Sequence, residues 1–233
     1  MKLSKEEQRS LFLDIDNLLF PKPLRLEAGI QRLSNGMLQV SMRTDLHGCK
    51  SKMLDWWFTY FETTEHLKWW HPHDHILHSG WDRKWVKNEN YIGATIHATE
   101  ALGEIPPVPA TIKFHAPEEV FNPILLQEAY AEGNVGAVIY ARIGFGKDTV
   151  LDNNGDPEDG FMFHVARDTP FGCTLRSHFY LGALTADTET PLHENIGFGL
   201  MEHCYTEFTY LSHFLSSLYY AENKNGDNAP LPW

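Results

Sequence analysis

Histidine and acidic residues recur at two places in the chain with a spacing that suits metal binding. The first is the segment 69–75, which reads Trp-Trp-His-Pro-His-Asp-His and has three histidines at alternate positions. The second is the pair His203 and Glu207, four residues apart and far along the chain. Imidazole nitrogens and carboxylate oxygens are the usual protein ligands of zinc and similar divalent ions. The two segments can meet only through the fold, and their meeting would form a metal site.

The second pair lies in the longest helix that the sequence predicts, over residues 194–220. His203 and Glu207 begin a line of residues on one helical face, because positions three or four apart lie above one another. The line continues through Tyr210, Phe214 and Leu218. A carboxylate on such an apolar face needs a partner once it is buried, and a metal ion would supply one. A His–Glu hydrogen bond without metal is the alternative, since this spacing also occurs by chance.

Antiparallel strands account for most of the remaining chain. The Asn35-Gly36 turn signal precedes the first of them, and residues 51–70 predict a short helix capped by Thr63 or Thr64. The segment Pro106–Pro109 predicts a loop. The predicted strands cover residues 37–42, 91–100, 110–114, 135–143, 161–167 and 175–184. Strands followed by one long helix indicate the α+β class, with a curved antiparallel sheet wrapped around a C-terminal helix.

The N-terminal region is predicted to be an arm ahead of one main domain. Residues 4–18 carry spaced aliphatic residues among charges, which predicts a short helix that ends at Pro21-Lys22-Pro23. We therefore divide the 233-residue chain into an N-terminal helical arm over residues 1–34 and a main domain over residues 35–233. The main domain is long enough to bury a sizeable core.

Composition and charge exclude several classes of protein. The formal net charge is -12, and an acidic chain without clustered Lys and Arg is unsuited to nucleic acid. No segment approaches the roughly 20 apolar residues of a membrane helix, and the polar N-terminus lacks a signal-peptide core. The three cysteines are far apart and form no CxxC pair, so we expect neither disulfides nor a thiolate zinc site. A reducing cytoplasm is the expected setting.

Two segments come close to known metal motifs without matching them. The acidic loop over residues 152–160 lacks the DxDxDG register and the twelfth-position Glu of a calcium loop. The run from His71 to His75 is one residue away from the HxHxDH spacing of metallo-β-lactamase-like hydrolases. That fold also alternates strands and helices, unlike the elements predicted here. His73 and His78 suit exposed loop positions.

Several segments, taken together and in order, resemble the 2,4-diacetylphloroglucinol hydrolases and the related phloretin hydrolases. The resemblance covers most of the chain from about residue 35 onward. The segments that carry it are Asp55-Trp56-Trp57-Phe58, Trp70-His71-Pro72-His73-Asp74-His75, Gly93-Ala94-Thr95-Ile96-His97-Ala98-Thr99-Glu100, His164-Val165-Ala166-Arg167-Asp168-Thr169, Arg176-Ser177-His178-Phe179-Tyr180-Leu181-Gly182 and the spaced pair His203 and Glu207. One departure lies just before His71, where Glu65-His66-Leu67-Lys68 occupies a segment in which we expect a substrate-contacting tyrosine.

The resemblance implies a fold, a metal and a reaction. The fold is the helix-grip fold of the Bet v1 type, and the metal is usually zinc, although other divalent metals suit the same ligands. The ligands that it implies are His71, Glu100, His203 and Glu207, with Glu104 as an alternative to Glu100. His71 is favoured over His73 and His75 because it follows the tryptophan and precedes the proline. The implied reaction is hydrolysis of a carbon–carbon bond between an aromatic polyphenol ring and an acyl group.

Further residues gain roles from the same resemblance. His164 is expected to move protons near neutral pH, Asp74 matches a polar substrate-contact position, and Tyr180 can hydrogen-bond a phenol oxygen. A small aromatic acyl-phenol substrate can stack on Trp56, Trp57 or Trp70. A homodimer is compatible with the chain. Two alternatives stay open, namely a non-enzymatic aromatic-ligand-binding protein of the same fold and a metal hydrolase or lyase acting on another bond type.

Overall fold

Eight antiparallel strands form one sheet that curves around the longest helix. The structure, a computed structural model, describes residues 11–12, 14–184 and 191–223. The strands lie in the order β1-β2-β8-β7-β6-β5-β4-β3 across the sheet. Their bounds are β1 Gly29–Arg32, β2 Leu38–His47, β3 His75–Trp81, β4 Thr95–Leu102, β5 Ile105–His115, β6 Ala137–Phe145, β7 Gly160–Thr169 and β8 Gly172–Leu181.

Within the described residues four α-helices accompany the sheet, and the last is the longest. They are α1 Ser51–Tyr60, α2 Thr64–Trp70, α3 Pro123–Ala131 and α4 Glu194–Glu222. Thr63 caps α2, because its side chain accepts a hydrogen bond from the His66 amide. Helix α4 packs on the sheet, so the predicted α+β helix-grip architecture is confirmed. None of the described helices is long and apolar enough to cross a membrane.

The sheet separates two apolar clusters, because successive residues of a strand point to opposite faces. We call the face that α4 covers the inner face and the opposite one the outer face. The inner cluster includes Val40, Ile139, Phe179, Cys204, Phe208 and Leu211. The outer cluster includes Leu18, Leu19, Leu126, Tyr140, Phe163 and Tyr180. Helix α3 and the N-terminal residues therefore cover the side of the sheet that α4 leaves open.

The buried face of α4 is rotated from the predicted line. The deepest residues on the helix are Leu200, Cys204, Phe208, Leu211 and Leu215. Tyr210, Phe214 and Leu218 are only half-buried, whereas His203 and Glu207 are buried as expected. The apolar stripe of α4 is wide enough to include both the predicted line of residues, which starts at His203, and a parallel line that starts at Cys204. The sheet packs against the second line. His203 and Glu207 consequently lie along one side of the packed stripe.

Two strand predictions were wrong. Pro106–Pro109, predicted as a loop, belongs to β5. That part of β5 pairs with β4 alone, since its pairing with β6 starts only at Ala110, and prolines are tolerated where no partner needs their missing N–H. Strand β3 was not predicted at all, because its residues combine histidine, serine and glycine without a clear alternation.

The N-terminal region is attached to the sheet. The described part of the predicted helix over residues 4–18 contains a 3-10 helix at Ile15–Leu19, and residues 1–10 and 13 lie outside the described chain. Strand β1 pairs with β2, and the turn between them holds Asn35 and Gly36. Residues 1–34 thus include both the 3-10 helix on the outer face and the first strand of the sheet.

Arg176 of β8 anchors this region through several hydrogen bonds. Its guanidinium donates to both carboxylate oxygens of Glu27, at 2.7 and 3.0 Å, and to the carbonyls of Phe20 and Lys22 at 2.6 and 2.8 Å. The Arg176 side chain is only 6% exposed. A buried guanidinium whose donors are all hydrogen-bonded holds its partners firmly. Breaking one of these hydrogen bonds would leave a charged group without a partner and away from water.

Replacing Arg176 with Met is therefore expected to lower the free energy of unfolding by about 3 kcal/mol. Arg43 lies directly opposite Arg176 on β2 and forms an exposed ion pair with Asp45. The matched variant Arg43→Met should cost less than about 1 kcal/mol. Urea unfolding of both variants measures the difference, and equal losses would show that Arg176 is not an anchor.

Candidate metal centre

Three buried donor side chains and the half-buried Glu100 converge between the inner face of the sheet and α4. His75 begins β3 and lies opposite Glu100 of β4 in the strand register, while His203 and Glu207 come from consecutive turns of α4. The Nε2 atom of His75 lies 3.9 Å from Oε1 of Glu100 and 3.7 Å from Oε2 of Glu207. Nε2 of His203 lies 3.9 Å from the same Glu207 oxygen. Two strands and one helix thus direct their ligand atoms at one point.

These separations suit a shared metal ion better than direct hydrogen bonds. A hydrogen bond between nitrogen and oxygen is usually about 2.7–3.2 Å long, which is shorter than all three distances. Ligand atoms about 2.0–2.2 Å from one ion lie up to roughly 4 Å apart. His75, His203 and Glu207 form a group of the size that can hold a metal ion, and Glu100 lies against it. The donor set therefore fits a divalent metal.

Hydrogen bonds orient both imidazoles toward this point. Nδ1 of His75 donates to the Leu67 carbonyl at 2.9 Å, and Nδ1 of His203 donates to Oδ2 of Asp74 at 3.1 Å. A proton held on Nδ1 leaves the lone pair on Nε2, which is the atom that faces the carboxylates. A carboxylate behind a metal-binding histidine is the usual arrangement around such ions.

The two glutamates are buried with little compensation. Burial raises the pKa of Glu207 to about 8, and burial likewise raises the pKa of Glu100. Burial lowers the pKa of His203, but Asp74, Glu207 and Glu100 outweigh it, so the net shift is upward. When these carboxyl groups lose their protons the site becomes negatively charged, and a divalent cation would neutralise that charge.

His71 lies beside these donors and contacts both Asp74 and His203. Its Nδ1 accepts a hydrogen bond from the Asp74 amide at 3.0 Å, which leaves Nε2 as the protonated nitrogen, 3.5 Å from Oδ2 of Asp74. The His71 ring stacks on that of His203, with centroids 4.7 Å apart. His71, Asp74 and His203 also form a compact group of metal-ligand types. Since the Asp74 carboxylate is already hydrogen-bonded there, this group better serves to orient His203.

Asp74 is an ionised residue behind the centre. Burial would raise the pKa of Asp74, but hydrogen bonds from His203 and the Gly103 amide, together with nearby His71, lower it to about 2. The expected substrate-contact position is thus occupied by a carboxylate whose Oδ2 is engaged by its own chain. Asp74 fixes the tautomer of His203.

His164 lies in the same cavity as the four donors. It is buried on β7, and its Nδ1 lies 2.8 Å from Oγ of Ser177 on β8. Burial lowers the pKa of His164 to about 3, so its imidazole is uncharged at neutral pH. The cavity is otherwise lined by apolar side chains and measures ≈ 50 Å³. Since ligand pockets are usually about 300–1,000 Å³, an aromatic ligand requires lining side chains to move.

Tyr180 does not reach the centre. It belongs to the outer cluster, where it packs on Phe12 and Phe163. The reason is the strand alternation, since Ser177 and Phe179 of β8 face inward and Tyr180 therefore faces outward. The structure therefore does not bring Tyr180 to the four donors, and its predicted hydrogen bond to a phenol oxygen stays a prediction.

The remaining candidates divide between the cavity and its surroundings. Glu104 is exposed in the turn between β4 and β5, so Glu100 is the glutamate that faces the centre. His73 is exposed, whereas His78 is half-buried. Trp70 lines the cavity, while Trp56 stacks on Tyr60 and Trp57 packs against Phe61 and Phe214. Sequence reasoning favoured His71 over His73 and His75, and the alternate spacing of the three histidines was the signal available for His75.

Comparison with known proteins identifies the family. A family model described as "DAPG hydrolase PhiG domain" matches residues 10–220 of the chain. The chain belongs to the DAPG hydrolase family. A 2,4-diacetylphloroglucinol hydrolase from Pseudomonas sp. is 28% identical over 232 residues, covering 88% of this chain and 75% of that protein. One from Pseudomonas protegens is also 28% identical and covers 88% and 72%. These matches confirm the resemblance inferred from the sequence.

Solved structures with similar folds are more distant from this member of the DAPG hydrolase family. Ara h 8.0201 is 10% identical, covers 78% of this chain and 99% of its own, and has a TM-score of 0.47. Norcoclaurine synthase from Thalictrum flavum, in complex with dopamine and hydroxybenzaldehyde, is 14% identical, covers 82% and 98%, and has a TM-score of 0.38. The helix-grip assignment follows from the strand order and α4 themselves.

Measurement of metal content can distinguish a ligand role of His75 from an orienting role of His71. The wild type is expected to hold about one divalent ion per chain. His75→Ala should lose it, whereas His71→Ala should keep it when metal is supplied in excess, because loss of an orienting residue weakens affinity by only about 10–100-fold. Elemental analysis after desalting measures this, with exposed His73→Ala as the control. Retention by His75→Ala with loss by His71→Ala would reverse the two assignments.

Metal binding should also release protons. At pH 7 the Glu207 carboxyl, with its pKa near 8, holds a proton in the metal-free protein that it must lose on coordination. At pH 9 that carboxyl is already ionised, so proton release should be smaller. Calorimetric titration of metal-stripped protein with Zn²⁺, in buffers of different ionisation enthalpy, measures the number released. Equal release at pH 7 and pH 9 would contradict a role for Glu207 as a ligand.

Proposed function

We propose that this protein is a metal-dependent hydrolase that cleaves the carbon–carbon bond between an acyl group and a phloroglucinol-like ring. Membership of the DAPG hydrolase family, with relatives named 2,4-diacetylphloroglucinol hydrolase, supports an acylphloroglucinol as substrate. The observation that carries the metal-dependent part is the convergence of two histidines and two glutamates inside an apolar cavity.

The proposed ligand set differs from the expected one at a single position. His75 takes the place of His71, and it joins Glu100, His203 and Glu207. Zinc suits these ligands, as do several other divalent metals. When bound, such a metal would supply Lewis acidity, which polarises an oxygen of the substrate or of a water molecule.

The reaction divides one water molecule between the two fragments. The bond between the ring carbon and the acyl carbon breaks, the acyl carbon gains the hydroxyl and becomes a carboxylic acid, and the ring carbon gains a proton. A phloroglucinol ring can leave in this way because its hydroxyl groups allow a keto tautomer that takes the electron pair and the proton on carbon. The chain must therefore deliver a proton to the ring carbon.

His164 is the residue proposed to handle this proton. It lines the cavity and is uncharged, so it can accept a proton at one nitrogen and pass one on without holding a buried charge for long. Ser177 fixes the ring through its contact with Nδ1. Asp74 and His71 act as positioning residues, since they touch His203.

The apolar walls of the cavity exclude bulk water from the reacting carbon. Phe58, Phe114 and Phe179 line it together with Trp70 and aliphatic residues. In such a setting the charged groups interact more strongly than they would in water. Binding of the aromatic substrate must displace part of this wall, because the enclosed space is smaller than a ligand pocket.

A variant of a proposed ligand and a variant of His164 should differ in whether they keep the metal when they lose activity. Glu207→Gln is expected to lose both metal and activity, whereas His164→Asn should keep the metal and lose about 10²–10⁴-fold in kcat. Turnover of an acylphloroglucinol is measured by chromatography, with mass analysis of the deacylated ring and the carboxylic acid. His73→Ala serves as the matched control and should retain full activity.

Two results would contradict this function. One is an active Glu207→Gln variant without metal. The other is wild-type protein, loaded with metal, that hydrolyses phenyl esters and leaves aryl ketones untouched, since that would assign the centre to a different bond type.

A further inference from the structure

A second and larger cavity lies on the outer face of the sheet. It measures ≈ 420 Å³ and lies between the N-terminal residues and strands β2 and β8. This volume falls within the range of about 300–1,000 Å³ that is typical of small-molecule sites. Its lining includes Leu18, Phe20, Leu24, Gln39, His178 and Tyr180. The alternation that turns Tyr180 away from the metal centre turns it toward this space.

Polar side chains at the base of the cavity are arranged but incompletely paired. Gln39 Nε2 donates to Oγ of Ser41 at 3.1 Å and lies 3.4 Å from Nδ1 of His178, and Ser41 Oγ also lies 3.4 Å from that nitrogen. Gln39 and His178 are each 4% exposed. Nevertheless, Gln39 Oε1 and His178 Nε2 have no hydrogen-bond partner among the described residues. Buried polar atoms are rarely left in this state without a ligand or water to satisfy them.

The tautomer of His178 determines whether its unpaired Nε2 atom donates or accepts a hydrogen bond. The amide nitrogen of Gln39 can only donate, and in the tautomer in which Nδ1 of His178 accepts from it, Nε2 carries the proton. In that tautomer the two unpaired atoms are one acceptor, Gln39 Oε1, and one donor, His178 Nε2–H. Burial also lowers the pKa of His178 to about 4, which keeps the imidazole uncharged at neutral pH.

A hydroxyl group is the smallest partner that satisfies both atoms, because it donates one hydrogen bond and accepts another. A carboxylate suits the position poorly, since it would face the unpaired oxygen of Gln39. Lys22, Arg25 and Asp14 also line the cavity, but the Arg25 guanidinium is hydrogen-bonded to Gln31. Leu18, Phe20 and Leu24 belong to the apolar part of the wall. An uncharged apolar molecule with one hydroxyl group matches this lining.

We propose that the outer cavity is a second ligand site, which binds an uncharged phenol with its hydroxyl between Gln39 and His178. The ring would contact Leu18, Phe20 and Leu24. Strand β8 separates this site from the metal centre, because His178 faces outward and its neighbour Ser177 faces inward to His164. Binding at the outer cavity needs neither a metal ion nor the hydrolytic reaction.

The test compares two probes on the full chain. Fluorine NMR titration of wild-type protein with 4-fluorophenol is expected to show saturable binding. 4-Fluoroanisole has the same ring but cannot donate, so it should bind about tenfold more weakly or worse, because Gln39 Oε1 stays unpaired. This comparison requires no variant to fold. Equal binding of the two probes, or no binding of 4-fluorophenol, would overturn the proposal.

Variants then locate the bound phenol. Gln39→Leu should weaken 4-fluorophenol binding at least about tenfold, whereas Gln127→Leu, at an exposed position of α3 outside the cavity, should leave it unchanged. His75→Ala at the metal centre should also leave it unchanged. Loss of binding in His75→Ala and not in Gln39→Leu would assign the phenol to the metal centre and overturn the proposal. Failure of the proposed hydrolysis would not alter either result.

Discussion

Two glutamates buried side by side impose the strongest constraint on this fold. Glu100 and Glu207 lie in an apolar interior, and their raised pKa values show how poorly that interior tolerates their charge. The neighbouring side chains are arranged around these two carboxyl groups. His75 and His203 present lone pairs to the same point, and each is held by its other nitrogen. The unfavourable burial of these carboxyl groups is a cost that a bound divalent cation would offset.

The residues behind the candidate ligands, Asp74 and His71, are positioned as specifically as the candidate ligands themselves. Asp74 sits in the turn that follows α2, and it contacts α4 through His203 and the β4–β5 turn through the Gly103 amide. One carboxylate thus ties three segments of the chain together at the rim of the centre. His71 completes this group by stacking on His203.

Sequence reasoning reached the architecture and three of the four donors that the structure brings together, Glu100, His203 and Glu207. The helix with His203 and Glu207 was readable because a 3.6-residue period persists over many turns, and most strands were readable from β-branched and aromatic content. Glu100 followed from the family resemblance. The choice between His71 and His75 was not readable, because it depends on which ring nitrogen meets a backbone carbonyl in the folded chain. The side of the sheet on which Tyr180 lies was not readable because its strand is apolar on both faces, so composition could not reveal which side each residue takes.

The two faces of β8 have a consequence for how this protein can change. Ser177 supports His164 on one side, and His178 belongs to the outer cavity on the other, with a single peptide bond between them. A substitution at Ser177 can therefore change the inner cavity without changing the outer one, and a substitution at His178 can do the reverse. An insertion or deletion of one residue in this strand would instead exchange the two sets of side chains, because the period of a strand is two. The length of β8 is thereby less free to vary over evolutionary time than its composition.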